Sequence, residues 1–194
     1  VLGASCVGQG DGHREARAGT FPGEHHSIAR MELRWCPPGR FQMGSPQEEV
    51  GRRGEEGPVE VRLSRGFWIG RFEVTQSQWS HLMGPVKRDL EAGRGDAFPV
   101  YWVSFLEAEE FCRRLTKEAR LPAGWEFRLP TEAQWEYACR AGTTTAYSTG
   151  STLTKAQANF GRPFRGEPPG FPRGSATPVG SYPPNAWGIH DMQI

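Results

Sequence analysis

Residues 127–142, with the sequence FRLPTEAQWEYACRAG, predict an extended segment that turns directly into a short helix. Pro130 ends the extended part, because a residue that precedes proline is steered away from the helical region. Thr131 follows as the helix N-cap, and Gln134 completes a capping box that satisfies two backbone N–H groups. Gly142 is placed to end the helix. Since so short a helix is not stable alone, tertiary packing has to hold it in place.

Two further capping boxes predict two more helices. Thr75 with Gln78 opens one, and Ser104 with Glu107 opens another. The second of these has apolar residues at helical spacing on one face and charged residues on the other, which is typical of a helix packed on a core. The residues expected on the core face are Phe105, Ala108, Phe111, Cys112, Leu115 and Ala119.

Strands are predicted in the part of the chain that precedes the Thr75 helix. Residues 32–43 read as a hairpin or strand pair that turns at Pro37-Pro38-Gly39. Residues 59–63 alternate apolar and polar, as a half-buried strand does, and residues 67–74 form the next strand. The side chains expected to face inward in that strand are Phe67, Ile69 and Phe72.

The composition favours a loop-rich globular domain held by large aromatic side chains. Only 37% of the 194 residues are hydrophobic and the chain has 25 Gly and 16 Pro, but 7 Trp and 11 Phe argue against disorder. A net charge of +1 implies no special attraction to nucleic acid or to anionic membranes. No apolar run approaches a membrane span, and no apolar core of signal-peptide type is visible, which favours a cytoplasmic location.

The four cysteines do not form a recognisable site. They are Cys6, Cys36, Cys112 and Cys139, and no two of them have the C-x-x-C spacing of a zinc or redox site. Cys112 and Cys139 fall on predicted helices among apolar neighbours, so buried free thiols are the favoured interpretation. The alternative is a disulfide between two of the four cysteines, which the sequence does not assign. No nucleophile elbow, phosphate-binding loop or HExxH motif occurs, and we assign no catalytic residue.

Residues 1–30 differ from the rest of the chain. They are rich in Gly, Arg, His and Glu and have no periodic apolar pattern, so we interpret them as a linker or as sequence upstream of the domain. His25 and His26 are expected to be solvated rather than metal-bound. The domain is therefore predicted to span residues 31–194.

Four sequence blocks resemble one protein family. The stretch RLPTEAQWEYACRAG is similar to the signature of the formylglycine-generating enzyme (sulfatase-modifying factor) family. FQMGS at 41–45, FWIGRFEVTQSQW at 67–79 and TPVGSYPPNAWGIHDM at 177–192 resemble further family blocks in the family's order. The resemblance implies an α+β fold, a loop-rich variant of the C-type lectin fold, of which residues 31–194 form the N-terminal two-thirds and which is incomplete at its C-terminus.

The resemblance also implies a reaction. Formylglycine-generating enzymes oxidise a sulfatase cysteine to formylglycine with molecular oxygen and copper, and two cysteines in the last third of the domain hold the copper. None of the four cysteines here matches that pair, so we expect this chain to be inactive alone. A protein or peptide substrate of sulfatase type is the implied partner. The alternative is a non-catalytic C-type-lectin-like binding module.

A calcium site is the one family site that maps partly onto this chain. Asn159 and Phe160 resemble an Asn-Ile pair whose oxygens hold calcium in some relatives. Pro169-Gly170-Phe171 stands where those relatives have Asp-Gly-Phe, so a proline replaces the aspartate. Calcium takes six to eight oxygen ligands. The competing interpretation is a loop amide that bonds its own backbone.

The resemblance carries one expectation about stability. Without the last third of the domain, three aromatic side chains should lose part of their cover and leave the fold marginally stable. These side chains are Trp135, Tyr137 and Trp187.

Overall fold

The computed structural model describes residues 5–8, 18–49, 52, 54–86, 90, 93–160 and 176–193, with the backbone alone for residues 5–8. The described elements, in chain order, are β1 (Ser5–Gly8), β2 (His25–Ile28), β3 (Met31–Cys36), β4 (Gly39–Met43), β5 (Val59–Leu63), β6 (Phe67–Gly70), α1 (Gln76–Met83), α2 (Phe105–Ala119), β7 (Trp125–Arg128) and α3 (Glu132–Arg140). Helices and antiparallel strands are both present, so the predicted α+β class is confirmed. None of the described helices is long and apolar enough to cross a bilayer.

The strands form two separate antiparallel sheets. The larger has the order β2-β3-β6-β1-β7, and in the smaller β4 pairs with β5 alone among the described strands. The hairpin predicted over residues 32–43 is therefore wrong, because the turn at Pro38 carries the chain from one sheet to the other. Gly39 is required at this turn, since a Cβ there would collide with the Tyr137 hydroxyl.

The interpretation of residues 1–30 as a linker is wrong for two stretches. His25–Ile28 pairs with Met31–Cys36 along its whole length, from His25 opposite Arg34 to Ile28 opposite Met31. Ser5–Gly8 lies between β6 and β7. Both stretches satisfy their backbone groups through the sheet, which a composition-based interpretation does not detect. His25 and His26 are exposed, as expected.

The larger sheet is covered on both faces. One face packs on α1 and α2, and Trp79 of α1 stacks on Phe111 of α2 with ring centroids 5.5 Å apart. The other face packs on α3 and on the end of the described chain. Because both faces are covered, all four residues of β6 are buried. Phe67 and Ile69 were predicted to face inward, and Trp68 between them is buried on the opposite face. Phe72, expected inward, is half-buried just beyond the strand.

All three capping boxes are confirmed. At each helix the N-cap hydroxyl accepts from the backbone N–H three residues later, and the side chain there accepts from the N-cap backbone. The core face of α2 is buried at Ala108, Phe111, Cys112 and Leu115. The inward placement of Phe105 is wrong: this side chain, in the first turn of α2, is 66% exposed.

The helix of the opening stretch, α3, joins the smaller sheet to the rest of the fold. Glu136 accepts a hydrogen bond from the Gly44 N–H at 2.9 Å, and Arg140 donates to the Gly44 carbonyl at 2.8 Å. Glu136 and Arg140 also pair with each other at 2.7 Å and are largely buried. Tyr137 is 7% exposed, so the expectation that it lacks cover is wrong, whereas Trp135 and Trp187 are half-buried.

Candidate functional site

The end of the described chain is anchored on α3 by one asparagine. The Asn185 side chain donates to the carbonyls of Ala138 and Cys139, at 2.7 and 3.2 Å. Its Oδ1 accepts from the N–H groups of Trp187 and Ile189, at 3.0 and 3.1 Å. The last carbonyls of a helix have no partner within the helix. Asn185 therefore provides hydrogen-bond donors for carbonyls at the end of α3 and also holds the loop around Trp187 and Ile189 in place.

The described thiols lie in apolar surroundings. Cys112 belongs to the core beneath α1 and α2, and Cys36 and Cys139 belong to the core beneath α3. Burial raises the pKa of Cys112 to about 12 and that of Cys139 to about 11, and raises the pKa of Cys36 further. All three are free thiols, and the prediction of buried thiols holds for Cys112, while Cys139 is half-buried.

These thiols do not fit a copper site. Copper ligation by a cysteine pair requires two neighbouring thiols that a metal ion can reach, whereas Cys36 and Cys112 are fully enclosed in two different cores. Cys139 instead donates a weak hydrogen bond to the Met192 carbonyl at 3.4 Å. The side chain of Cys6 lies outside the described residues. No step of a reaction can be assigned to the described cysteines.

Two carboxyl groups meet where the C-terminal loop crosses the end of β6. Glu73 follows β6 and lies close enough to Asp191 for the two charges to repel each other. Burial first, and Asp191 second, raise the pKa of Glu73 to about 7. Burial also raises the pKa of Asp191, although the Gly180 N–H donates to its Oδ2 at 2.7 Å and opposes the effect.

The surroundings of this carboxyl pair are fixed by backbone contacts and rings. The His190 N–H donates to the Arg71 carbonyl at 2.9 Å, and the His190 ring packs on Phe72 with centroids 4.9 Å apart. Gly180 approaches Phe72 so closely that a Cβ would lie 2.7 Å from its ring. His190 Nδ1 lies 2.9 Å from the Tyr182 carbonyl. The loop that carries Asp191 is therefore held firmly against the end of the strand.

Glu73 is the titrating group that this arrangement offers at neutral pH. A carboxyl group with a pKa of about 7 can gain or lose a proton under physiological conditions. Glu73 stands two residues before the predicted Thr75 cap, but no spacing in the sequence relates it to Asp191, so the pair was not predicted. Among the described residues no group of three or more His, Cys, Asp or Glu side chains could hold a metal ion.

The predicted calcium ligands lie in a loop beyond α3. Asn159 and Phe160 are half-buried and follow Ala158, which is buried. Pro169-Gly170-Phe171, the second part of the predicted site, lies outside the described residues. The described part offers amide and carbonyl oxygens but too few to complete a calcium shell. The calcium site therefore stays a prediction.

Known proteins match this fold and sequence. The family described as "Sulfatase-modifying factor enzyme 1-like domain" matches residues 21–193. The formylglycine-generating enzyme of Mycobacterium tuberculosis is 31% identical over 141 residues, which are 70% of this chain and 42% of that protein. The inactive C-alpha-formylglycine-generating enzyme 2 of Bos taurus is 28% identical over 215 residues, covering 80% of this chain and 65% of its own length.

A solved structure supports the same assignment. PvdO from Pseudomonas aeruginosa superposes with a TM-score of 0.72 at 25% identity, over 90% of this chain and 72% of its own. The chain spans less than half the length of the mycobacterial relative. The family match begins at residue 21, within the stretch that composition favours as linker, and includes β2. On the match over residues 21–193, together with the fold shared with PvdO, the chain belongs to the sulfatase-modifying factor enzyme 1-like family.

Proposed function

We propose that this chain provides the scaffold of a formylglycine-generating-type domain and that residues 1–194 alone do not oxidise a sulfatase cysteine. The family reaction is the oxygen-dependent conversion of that cysteine to formylglycine, on copper held by a cysteine pair. One observation carries the proposal: Cys36 and Cys112 are 0% and 2% exposed in two different cores, and the Cys139 thiol donates to the Met192 carbonyl at 3.4 Å. Thiols of this kind serve in packing rather than in catalysis.

The positions of the thiols agree with a structural role. Cys36 is completely buried at the end of β3, and Cys112 is 2% exposed on the core face of α2. The backbone carbonyl of Cys139 accepts a hydrogen bond from the Asn185 side chain. Moving the Cys36 or Cys112 side chain into contact with a substrate would require the core to open. The implied partner is a protein or peptide of sulfatase type.

A turnover assay tests this proposal. The 194-residue chain is incubated with a Cys-x-Pro-x-Arg peptide, copper and oxygen, and formylglycine is measured by mass spectrometry, with the mycobacterial relative as a parallel sample. We expect no formylglycine from this chain. Formation that is lost in Cys139→Ser but kept in Cys112→Ser would overturn the proposal and assign the activity to Cys139.

The second candidate function is a non-catalytic binding module. The similarity to a bovine relative named as inactive, over 80% of this chain, favours it. A module of this kind binds its ligand without converting it, and the sulfatase-type peptide serves as the probe. Saturable binding of the unreacted peptide, measured by calorimetry in the absence of oxygen, is the expected result. Absence of binding under those conditions would remove this second function.

The calcium site belongs to the same proposal. The Asn159 side-chain oxygen and the Phe160 carbonyl are proposed as two of its ligands. Calcium there would fix the long loop after α3 and supply no chemistry of its own. A calcium titration of the folded chain tests this assignment.

A further inference from the structure

An arginine-lined cleft contains neither the carboxyl pair nor a described cysteine in its lining. It has a volume of about 650 Å³ and opens between the end of β5 and strand β7. Its lining includes Arg62 and Arg65 at the end of β5, and Glu126 and Arg128 of β7. The volume falls in the range of about 300–1,000 Å³ that is usual for ligand sites. The cleft therefore has the size of a binding site and an excess of positive charge.

Arg62 is placed against a like charge. It stands directly opposite Arg40 in the pairing of β4 with β5, and Arg40 is the one that pairs with Glu60, at 2.9 Å. Like charges directly opposite each other destabilise a strand pair. Within the described part of the chain, no carboxylate pairs with Arg62 or Arg65. The two guanidinium groups are available to an anion from outside.

The strands that flank the cleft differ at their outer edges. On β7, the Thr116 hydroxyl of α2 accepts from the Phe127 N–H at 2.8 Å, so this edge is already occupied. On β5, no described strand lies beside the outer edge, and its first residue, Val59, is 54% exposed. An open edge of this kind is a template for pairing with another chain. The described strand edge that remains available for pairing therefore belongs to β5, the strand that carries Arg62.

We propose that the cleft binds an extended acidic segment of a partner protein, which adds as a strand to the outer edge of β5. In this mode main-chain hydrogen bonds to β5 hold the peptide, and alternate side chains reach pockets beside the strand. A carboxylate beside Arg62 in the added strand meets its guanidinium group, and a carboxylate of the peptide beyond the end of β5 meets Arg65, since planar guanidinium groups bind carboxylates in a bidentate manner. The proposal does not depend on whether the domain oxidises any substrate.

A protein partner is favoured over a nucleic acid. Binding to nucleic acid relies on a broad basic surface, whereas this chain has a net charge of +1. The positive charge is instead confined to one cleft beside one open strand. An extended peptide uses both features, the charge and the strand edge.

Fluorescence anisotropy with labelled peptides tests the proposal on the 194-residue chain. The probe is a soluble peptide of alternating Thr and Asp, and its matched control alternates Thr and Asn. Arg62→Gln and Arg65→Gln are each expected to raise the Kd for the Asp peptide at least tenfold, because each removes a hydrogen bond between charged groups. Arg113→Gln, an exposed arginine of α2 outside the cleft, is the matched control and should leave binding unchanged.

Two peptides that are N-methylated at odd or at even positions test the strand addition. A peptide added to one edge of β5 uses the N–H groups of alternate residues, so one methylated peptide should lose binding and the other should keep it. Equal binding of the Asn peptide, or loss of binding in Arg113→Gln as well, would overturn the proposal. Retained binding of both methylated peptides, or equal competition by a single-stranded RNA, would overturn it in favour of a simple anion site.

Discussion

The strongest prediction concerns Glu73, which should make the fold less stable as the pH rises. The pKa of Glu73 is raised from 4.5 to about 7, first because it is buried and second because Asp191 lies near. Between pH 4.5 and about 7, Glu73 is therefore protonated in the native state but ionised in the unfolded chain. The stability that this proton provides is fully present below 4.5 and is lost as the pH rises through about 7.

The magnitude follows from the two pKa values. At about 1.4 kcal/mol for each pKa unit, ionising Glu73 in the fold costs up to about 3 kcal/mol. Glutamine has the same shape and no charge, so Glu73→Gln should remove this cost. The variant should match the parent near pH ~4 and exceed its stability by about 2–3 kcal/mol near pH ~8. For a chain of this length the gain corresponds to a rise in Tm of roughly 5–10 °C.

Urea denaturation followed by tryptophan fluorescence measures this difference across the pH range, since the chain has 7 Trp. Glu109→Gln, at an exposed position of α2, is the matched control and should track the parent at every pH. Asp191→Asn should lower the pKa of Glu73 only part of the way, because Asp191 is the smaller cause. A stability difference between Glu73→Gln and the parent that does not change with pH would refute the reasoning.

Three other changes have expected results. Asn185→Ala removes four hydrogen bonds that fix the last loop to α3 and should destabilise the fold by about 2–4 kcal/mol in urea titrations; an unchanged midpoint would contradict this role. Thr131→Ala removes the N-cap of α3 and should cost about 1 kcal/mol, whereas Glu132→Gln, in the same turn, should cost a few tenths at most. Calcium at about 100 times its Kd should stabilise the parent by about 2.7 kcal/mol, and Asn159→Ala should abolish the effect; a parent that does not respond to calcium would remove the proposed site.

The helices were the most predictable part of the fold. A capping box uses a hydroxyl and a Glu or Gln only three residues apart, so the sequence alone contains both partners. Thr75, Ser104 and Thr131 all cap helices as predicted. The family blocks were equally visible, because each is a short run of consecutive residues. Both kinds of signal are local.

Strand pairing was less predictable because it depends on distant partners. The sequence shows that residues 32–43 contain two strands, but only the fold places β3 beside β6 and β4 beside β5. The same limit explains β2, whose polar sequence HHSI gives no sign that Met31–Cys36 pairs with it. A strand at the edge of a sheet can be polar on its exposed face and still be fully paired.

What the sequence determined by itself was the family, the α+β class and the start of each helix, because these depend on residues within a few positions of one another. Tertiary structure alone decided that Asn185 closes the end of α3, that Glu73 lies near Asp191, and that β5 leaves an open edge beside two arginines. Burial and charge proximity set these properties. They arise only when segments as far apart as Glu73 and Asp191 are packed together.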